Sequence, residues 1–197
     1  MDGMADGLAA VNTPVYGAAM TDRLTRDDWL TQGLRTLAKD GANALKVGPM
    51  AARLKVSRGS FYWHFRDIGD FRAELLQSWQ ERSTDQVIRD LDARKGEPDR
   101  LKQFMKRAFA ARRDLDRAVR SWAAEDNDVA RVVAAADASR VAYLAKMLAA
   151  AGVDSQRALR RAAFLYWAYL GQPSVMDPRH ASIPDSAIDD IAGLFES

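Results

Sequence analysis

The chain has 197 residues, of which 48% are hydrophobic, and a formal net charge of +2. This length is sufficient for one large domain or for a small domain joined to a larger one. The absence of cysteine excludes disulfides, thiolate metal sites and cysteine nucleophiles. No apolar run approaches the roughly 18 residues of a membrane span, and no basic segment opens a secretion signal. We therefore expect a cytoplasmic protein with no membrane partner.

Positive charge is concentrated near the N-terminus. Residues 21–66 contain nine Lys or Arg and four Asp or Glu, whereas residues 67–197 contain 20 and 21. A polyanion is therefore expected to bind within residues 21–66. Residues 1–20 are rich in Gly and Ala and contain no Lys or Arg, which predicts a flexible arm or additional sequence ahead of a start at Met20.

Helical signals run through almost the whole chain from Thr25 onward, and no segment shows the strict alternation of a half-buried strand. Thr25 and Asp28 predict a capping box at the start of a first helix, and Gly41 is placed to end it. Pro49 suits the first turn of a short second helix that ends near Leu54. The predicted fold class is therefore all-α.

The later helices are predicted from their capping residues and apolar periodicity. Ser57 is placed to cap a third helix that ends near His64, and Asp67 to cap a long fourth helix that reaches Leu91. The next predicted helix begins at Glu97, Pro98 and Asp99, and a shorter one contains Val119 and Trp122. A long helix is predicted from Asp126 to Gly152, followed by one capped by Asp154 or Ser155. The last helix is predicted after a loop that contains Pro178 and Pro184.

The helix that Asp154 or Ser155 caps is apolar on every face over residues 162–170. A helix of this kind must be covered on all sides. In a chain of this size, we expect one face to pack against its own core and another against a second subunit.

Residues 46–66, KVGPMAARLKVSRGSFYWHFR, contain five Lys or Arg and no Asp or Glu. They read as two short helices joined by a tight turn, which is typical of a helix-turn-helix. The second helix of such a motif enters the major groove, and its N-terminal residues reach base edges. The residues predicted to bind DNA are Lys46, Val47, Arg58, Gly59, Ser60, Tyr62, Trp63, His64 and Arg66.

Each side-chain type in this helix suits a distinct contact with DNA. Arg58 can donate two hydrogen bonds to a guanine, which contributes about 1–3 kcal/mol of discrimination. Gly59 permits close approach of the backbone, and Ser60 can donate to a base or a phosphate. Tyr62 and His64 can reach phosphate oxygens, which sets register without reading sequence. Phe61, Trp63 and Phe65 are expected to divide between the core and the DNA backbone, and the predicted interior consists of Val47, Met50, Ala51, Leu54 and Val56.

The pattern V-x-x-M-A-x-x-L-x-V-S-x-G-S-F-Y-x-H-F, which begins at Val47, resembles the TetR-type transcriptional regulators. Tyr62, Trp63 and His64 stand where the tetracycline repressors have the same three residues. The resemblance covers the N-terminal part of the chain, while the remainder agrees only in helix number and length. It implies a homodimer of nine-helix subunits and a ligand-binding core whose occupancy moves the DNA-reading heads.

Two positions depart from the pattern of the family. Many relatives carry a phosphate-gripping Lys where this chain has Ile68, followed by Gly69. Either Arg66 compensates, or the N-terminus of the next helix holds the phosphate through its N–H groups. The second departure is Val47, where a phosphate-bonding Thr is frequent, so affinity for non-specific DNA is expected to be lower.

The resemblance divides the chain into an arm (1–20), a DNA-binding head (21–66) and a helical body for effector binding and dimerisation (67–197). Helices at 154–172 and 184–196 are expected to form the homodimer. Most aromatic residues of the body are expected in its core, and the residues predicted to line a ligand cavity are Phe104, Trp122, Tyr143, Met147 and Tyr166.

The charged pairs of the body are expected on solvated faces. They are Arg112 with Arg113 and Arg160 with Arg161. An arginine of either pair that points inward would favour an anionic ligand. His180 is expected to be an exposed loop residue, and two distant histidines without cysteine make a transition-metal site improbable. No catalytic motif emerges, so no catalytic residue, metal or cofactor is predicted.

The sequence therefore predicts a transcriptional regulator and not an enzyme. The predicted regulator is a repressor that binds a palindromic double-stranded operator and is released from it by a small-molecule effector. Three alternatives remain open at this point. The chain could be an all-α enzyme or small-molecule-binding protein in which the basic segment is incidental. It could be an interaction protein whose apolar helix at 162–170 docks a different partner. Residues 46–66 could also be a structural helix pair with a solvated basic face.

Overall fold

A computed structural model of the chain describes residues 24–96, 99–175, 177, 179 and 183–196. The predicted arm (1–20), the start at Met20 and the loop position of His180 lie outside these residues. Glu97 and Pro98, expected to open a helix, and Pro178 lie outside them as well.

The described residues are almost entirely helical and contain no strand. The helices are α1 (Arg26–Asp40), α2 (Val47–Leu54), α3 (Arg58–Tyr62), α4 (Ile68–Gln80), α5 (Gln86–Ala93), α6 (Arg100–Ala110), α7 (Asp114–Ala123), α8 (Asn127–Ala150), α9 (Ser155–Gly171) and α10 (Asp185–Glu196). A π-helical turn, Glu81–Asp85, joins α4 to α5 without a break. The described residues thus form nine helical rods, and the all-α prediction is confirmed.

Most predicted helix ends are confirmed by their capping bonds. The backbone N–H of Asp28 donates to Thr25 Oγ1 over 3.2 Å, and that of Thr25 donates to Asp28 Oδ2 over 2.7 Å, which completes the capping box. Gly41 ends α1 with a φ of 78°, a conformation that glycine adopts without strain. Asp67 accepts a bond from the N–H of Asp70 at the start of α4.

The third helix differs from its prediction at both ends. Ser57 occupies the N-cap position of α3, but its side chain caps no N–H group. The first turn is closed instead by the backbone, since the N–H of Ser60 donates to the Ser57 carbonyl over 3.1 Å. The helix ends at Tyr62, earlier than predicted, because the N–H groups of His64 and Phe65 both turn back to the carbonyl of Phe61.

Two clusters of buried apolar side chains hold the helices together. The first contains the interior of α1–α3 and continues across residue 66 into α4, α7 and α8. The second joins α5, α6, α8, α9 and α10. The predicted head therefore shares its core with the first part of the body, so a shift of α4 or α7 acts directly on α1.

Charged contacts add to this join between head and body. Arg26 on α1 pairs with Glu74 on α4, and Arg82 in the π-helical turn pairs with Asp27 on α1. Arg82 also donates to the hydroxyl of Thr31 over 3.3 Å. Within the described residues, none of the helices combines the length and the apolar run that crossing a bilayer requires.

Gly33 lies where the ring of Phe71 approaches the backbone of α1. A Cβ added at Gly33 would lie 2.5 Å from Phe71 Cζ and 2.8 Å from Leu75 Cδ1. We expect Gly33→Ala to lower the free energy of unfolding by about 1–3 kcal/mol, because the added methyl overpacks the contact between α1 and α4. Denaturant unfolding followed by far-ultraviolet circular dichroism measures the change.

The matched control is Gly171→Ala at the end of α9, where no atom lies within 4 Å of an added Cβ. This variant should keep its stability or gain up to about 1 kcal/mol from the better helix propensity of alanine. Unchanged stability of Gly33→Ala would contradict the close packing of α1 on α4.

Candidate nucleic-acid interface and ligand cavity

The helices α2 and α3 form a helix-turn-helix with a tight connection. Lys55 ends α2 in the left-handed region, with a φ of 58°. The N–H of Val56 then donates to the carbonyl of Ala51 over 3.0 Å, which closes the turn. The chain enters α3 directly after this turn, so Arg58 and Gly59 lie in the first turn of the second helix.

Phe61 anchors α3 to the rest of the head. Its side chain is fully buried, and its ring centroid lies 5.3 Å from that of Trp29 and 5.5 Å from that of Phe71. Phe65 is buried in the same cluster. With these two rings inside, the opposite face of α3 is exposed to solvent.

The side chains on the outer face of α3 and its end are exposed, as the predicted contact with DNA requires. Tyr62 is 60% exposed and Trp63 is 80% exposed. Arg58 and Gly59 are exposed, and Ser60 is half-buried. Phe61 and Phe65 thus belong to the core and Trp63 to the surface, which resolves how the three predicted aromatic residues divide.

The basic side chains of residues 46–66 fall into two groups. Arg53 pairs with Asp40 over 2.8 Å, and Arg66 pairs with Asp70 over 3.3 Å. Within the part of the chain that the structure describes, the exposed side chains of Lys46, Lys55 and Arg58 form no ion pair. Their charges are therefore available to phosphates or bases, and Lys55 joins the predicted set of DNA-binding residues.

The guanidinium of Arg58 lies across the first turn of α2 at Gly48. A Cβ added at Gly48 would lie 3.0 Å from Arg58 Nη2 and 3.2 Å from Nε. Because glycine has no Cβ, Gly48 leaves room for the Arg58 guanidinium, which remains accessible to solvent in this position. Val47, the preceding residue, is half-buried against the head core and does not present its side chain fully to solvent.

His64, which is predicted to contact a phosphate, is half-buried and bonds to the protein backbone. Its Nε2 lies 2.9 Å from the carbonyl oxygen of Leu24, the residue before the capping box of α1. Because a carbonyl oxygen only accepts, Nε2 is the donor in this contact. The imidazole therefore ties the start of the first helix to the end of the third.

The N-terminus of α4 carries two carboxylates. The carboxylates of Asp67 and Asp70 both lie at this end of the helix, where Asp67 accepts from the N–H of Asp70. Asp70 in turn accepts from the backbone N–H of Arg66 over 3.0 Å and from its guanidinium. Of the two predicted substitutes for the lysine, Arg66 therefore pairs with Asp70, and the helix N-terminus has one of its N–H groups capped by Asp67.

A largely apolar cavity of about 470 Å³ lies in the body between the π-helical turn and helices α5–α9. Phe104, Tyr143 and Tyr166 line it, as predicted. Trp122 and Met147 do not: Trp122 is buried in the cluster shared with the head, and Met147 is buried in the second cluster. Trp122 instead lines a second cavity, of about 370 Å³, between α7 and the end of α1.

A network of charged side chains closes one side of the cavity. Arg120 on α7 donates two bonds to Asp137 on α8, over 2.7 and 2.9 Å. The hydroxyl of Tyr166 donates to Asp137 over 2.6 Å and accepts from Arg120 and Arg140. Arg140 also donates to Asp116 over 3.1 Å, so two cations and two carboxylates neutralise one another.

Burial and charge shift the pKa values in this network in a consistent way. Burial raises the pKa of Tyr166 to about 12, so the hydroxyl stays protonated at neutral pH. Burial opposes ionisation of Asp137, but the hydrogen bonds from Arg120 and Tyr166 outweigh it and hold the pKa of Asp137 below its usual value. At neutral pH, Asp137 is therefore ionised and the Tyr166 hydroxyl protonated.

Sequence reasoning missed the charged residues of the cavity wall, Asp116 and Arg140, and the partners Arg120 and Asp137 that complete their network. Two spacings signal it, because Asp116 and Arg120 are four residues apart on one helix and Asp137 and Arg140 are three apart on another. Such pairs are common on solvated faces, and only the packing of α7 against α8 brings the two pairs together.

Exposed apolar side chains extend over α9 and α10. Leu159, Phe164 and Trp167 project from α9, and Phe164 stacks on Phe195 of α10 with ring centroids 6.0 Å apart. Trp167 is 67% exposed and Leu194 of α10 is 69% exposed. The other side of α9, which includes Ala162 and Leu165, is buried in the second cluster.

Residues 30–75 match the family described as bacterial regulatory proteins, tetR family. This match contains α2 and α3 in full. The HTH-type transcriptional regulator AcrR of Shigella flexneri is 34% identical to this chain over 53 residues, which make up 27% of this chain. The matched segment spans 25% of the length of that relative.

Asp137→Asn tests whether the charged network stabilises the body. The amide of asparagine carries no charge and replaces one accepting oxygen with an N–H donor, which weakens the bonds from Arg120 and Tyr166. We therefore expect a loss of about 1–3 kcal/mol in the free energy of unfolding. The matched control is Asp128→Asn on the same helix, whose ion pair with Arg131 is exposed and should contribute less than about 0.5 kcal/mol. Denaturant unfolding at neutral pH compares the two, and equal losses would contradict a cooperative network.

The effect of Asp137→Asn should depend on pH. Because the pKa of Asp137 is lower in the folded protein, its carboxylate contributes fully above the unfolded-state value of about 4. The contribution is lost as pH falls through the folded-state pKa. The difference in stability between wild type and Asp137→Asn should therefore diminish below about pH 4, and a difference that grows in acid would contradict the assignment.

Proposed function

Because the N-terminal part of this chain belongs to the tetR family of bacterial regulatory proteins, we propose that the protein is a sequence-specific, DNA-binding transcriptional regulator. The observation that carries the proposal is the exposed, carboxylate-free face of α2 and α3. The buried ring of Phe61 holds this face outward, with Arg58, Tyr62 and Trp63 exposed on it.

In this proposal α3 enters the major groove of double-stranded DNA. Arg58, Gly59 and Ser60, in its first turn, face the base edges. Lys46 and Lys55 flank that turn at the two ends of α2, where their unpaired charges can neutralise phosphates. Tyr62 donates its hydroxyl to a phosphate, and Trp63 packs against the sugar-phosphate backbone.

The exposed apolar face of α9 and α10 supports a homodimer through residues 154–172 and 184–196. Exposure of large rings such as Phe164 and Trp167 to water is unfavourable. In a homodimer, the same face of a second copy would cover them. Two copies would place two α3 helices on one face of the duplex, about 34–36 Å apart or a multiple of that distance. A palindromic operator matches this symmetry.

The cavity of the body supports regulation by a small molecule. Its volume of about 470 Å³ and its aromatic wall suit an organic effector. The proposed mechanism involves two conformations of the body, one that spaces the two heads to fit the operator and one that does not. An effector that binds the second conformation more tightly would lower operator affinity, and the size of the effect would follow from its difference in affinity for the two conformations. Release of the operator by an effector is the behaviour of a repressor.

A chain of contacts connects the cavity to the head. Arg140 faces the cavity and donates to the hydroxyls of Thr84 and Ser83 in the π-helical turn, over 2.9 and 3.0 Å. The adjacent Arg82 binds Asp27 and Thr31 on α1. In the proposed mechanism, a ligand that moves Arg140 shifts this turn, and the turn then shifts α1 with the helix-turn-helix packed on it.

Arg58→Ala and Tyr62→Phe test the proposed roles in DNA binding. We expect Arg58→Ala to lower affinity for the selected operator about 10-fold or more and random duplex by much less, because a base contact is lost. Tyr62→Phe should weaken both duplexes alike, because a phosphate contact is lost. Fluorescence-anisotropy titration with an operator selected from a random duplex pool measures both.

Arg131→Ala is the control, since it removes an exposed arginine from α8 at a distance from α2 and α3. It should bind both duplexes as wild type does. Equal losses on operator and random duplex for Arg58→Ala would contradict the base-reading role, and failure of the wild type to bind any duplex would contradict the proposed function.

Trp167→Glu tests the proposed dimer. A buried carboxylate in the apolar contact of α9 should shift the protein from dimer to monomer, which sedimentation equilibrium detects. Val175→Glu is the control, because Val175 is exposed but lies outside α9 and α10. A wild-type monomer at micromolar concentration, or a Trp167→Glu variant that dimerises as well as wild type, would exclude this interface.

A further inference from the structure

We infer that the cavity takes an aromatic anion, whose negative group pairs with Arg113 and whose ring packs on the aromatic wall. This inference rests on the proposed role of the cavity as the effector site. It adds the chemical class of the effector, which the proposed function leaves open.

Arg113 is half-buried in the cavity wall at the start of α7. Its guanidinium donates to the backbone carbonyl of Tyr169 and to the side-chain oxygen of Gln172. Both acceptors are neutral, and a guanidinium has five N–H donors. The contacts thus hold Arg113 in place but leave its charge and part of its donor capacity unused.

The carboxylates near Arg113 are engaged with other arginines. Asp116 accepts from Arg120 over 2.9 Å and from Arg140 over 3.1 Å. Asp114 pairs with Arg112 over 2.9 Å. Over the stretches of chain that the structure describes, no carboxylate lies within 4.0 Å of the Arg113 guanidinium.

The charge on Arg113 is costly in its present surroundings. Burial lowers the pKa of Arg113, since the guanidinium is partly removed from water. A half-buried cation without a counter-ion gains more from an incoming anion than a solvated or paired one does. Arg107, which is exposed and also lines the cavity, adds further positive charge on the same side.

Aromatic rings adjoin the guanidinium. The Arg113 Cζ lies 4.2 Å from the ring centroid of Tyr169 and 5.8 Å from that of Phe109. Tyr169 stacks on Tyr166, with ring centroids 6.0 Å apart and an interplanar angle of 22°. A flat ligand can extend this stack while its anionic group reaches Arg113.

The rest of the lining restricts the ligand further. The wall is largely apolar, and two of its other arginines are already paired, Arg140 with Asp116 and Arg112 with Asp114. A ligand with several charges would lack partners for most of them. A compound with one carboxylate or sulfonate on an aromatic body satisfies both Arg113 and the apolar wall.

A matched pair of fluorescent ligands tests this inference. Anilinonaphthalenesulfonate and N-phenylnaphthylamine share one aromatic skeleton, and only the first carries a negative group. Fluorescence titration of the full chain should give at least about 10-fold tighter binding for the sulfonate, as expected for a charge-assisted pair. Equal affinities for the two compounds would overturn the inference.

Two variants assign the preference to Arg113. Arg113→Gln should weaken binding of the sulfonate about 10-fold and leave the neutral compound within about twofold. Arg113→Lys keeps the charge and should retain part of the preference for the sulfonate. Arg131→Gln removes an exposed charge elsewhere and should change neither ligand. Equal losses of the sulfonate in Arg113→Gln and Arg113→Lys, with far-ultraviolet circular dichroism unchanged, would contradict recognition by charge.

Duplex binding separates failure of this inference from failure of the proposed function. Arg113→Gln should bind duplex DNA as wild type does, because the contacts of Arg113 are with Phe109 on α6, Tyr169 on α9 and Gln172. If wild type binds duplex but shows no preference for the sulfonate, only the ligand class is wrong. If no variant binds duplex although the preference for the sulfonate is present, the anion site stands and the regulatory role fails.

Discussion

The packing of Phe61 against Trp29, Phe65 and Phe71 is the contact on which the proposed interface depends. The α3 helix has only five residues, which is too short for a stable helix on its own. It is held because Phe61 inserts a complete ring into a cluster shared by α1 and α4. The side chains on the other side of α3 are consequently exposed in a defined orientation, and their position follows any movement of α1 or α4.

The packing around Phe61 also connects the body to the head. The first apolar cluster continues from α1–α3 into α4, α7 and α8. Arg82 and the hydroxyls of Ser83 and Thr84 occupy one π-helical turn, with α1 on one side and the cavity on the other. Such turns are less regular than the α-helix around them and are frequent at functional sites. In the proposed mechanism, a small change at the cavity moves this turn and, through the contacts of Arg82, α1.

The helix ends and the fold class could be predicted from sequence because they depend on local rules. Thr25 with Asp28, Asp67 and Asp154 each cap a helix within three residues of their own position. The division of Phe61, Trp63 and Phe65 between core and surface stayed open at the level of the sequence, because α3 ends at Tyr62 and helical spacing does not extend to Phe65. The roles of single residues in that pattern were harder to predict, as His64 shows by binding the backbone of Leu24.

The cavity could be predicted only in part, since its lining depends on packing between distant segments. Phe104, Tyr143 and Tyr166 line it, but Trp122 and Met147 are equally apolar and are buried in the two apolar clusters. Apolar character alone does not distinguish a cavity wall from a core. The charged wall was missed for the complementary reason: Asp116 and Arg140 are 24 residues apart, and only the approach of α7 to α8 joins them.

The salt dependence of duplex binding tests the central claim, that the carboxylate-free face of α2 and α3 binds DNA. We predict that log affinity falls linearly with log salt concentration, since phosphate contacts release condensed counterions. The double variant Lys46→Gln with Lys55→Gln should reduce this slope by about two per subunit, at roughly 0.9 for each lost phosphate contact. A slope that is unchanged in the double variant, or absence of duplex binding in dilute buffer, would contradict the account.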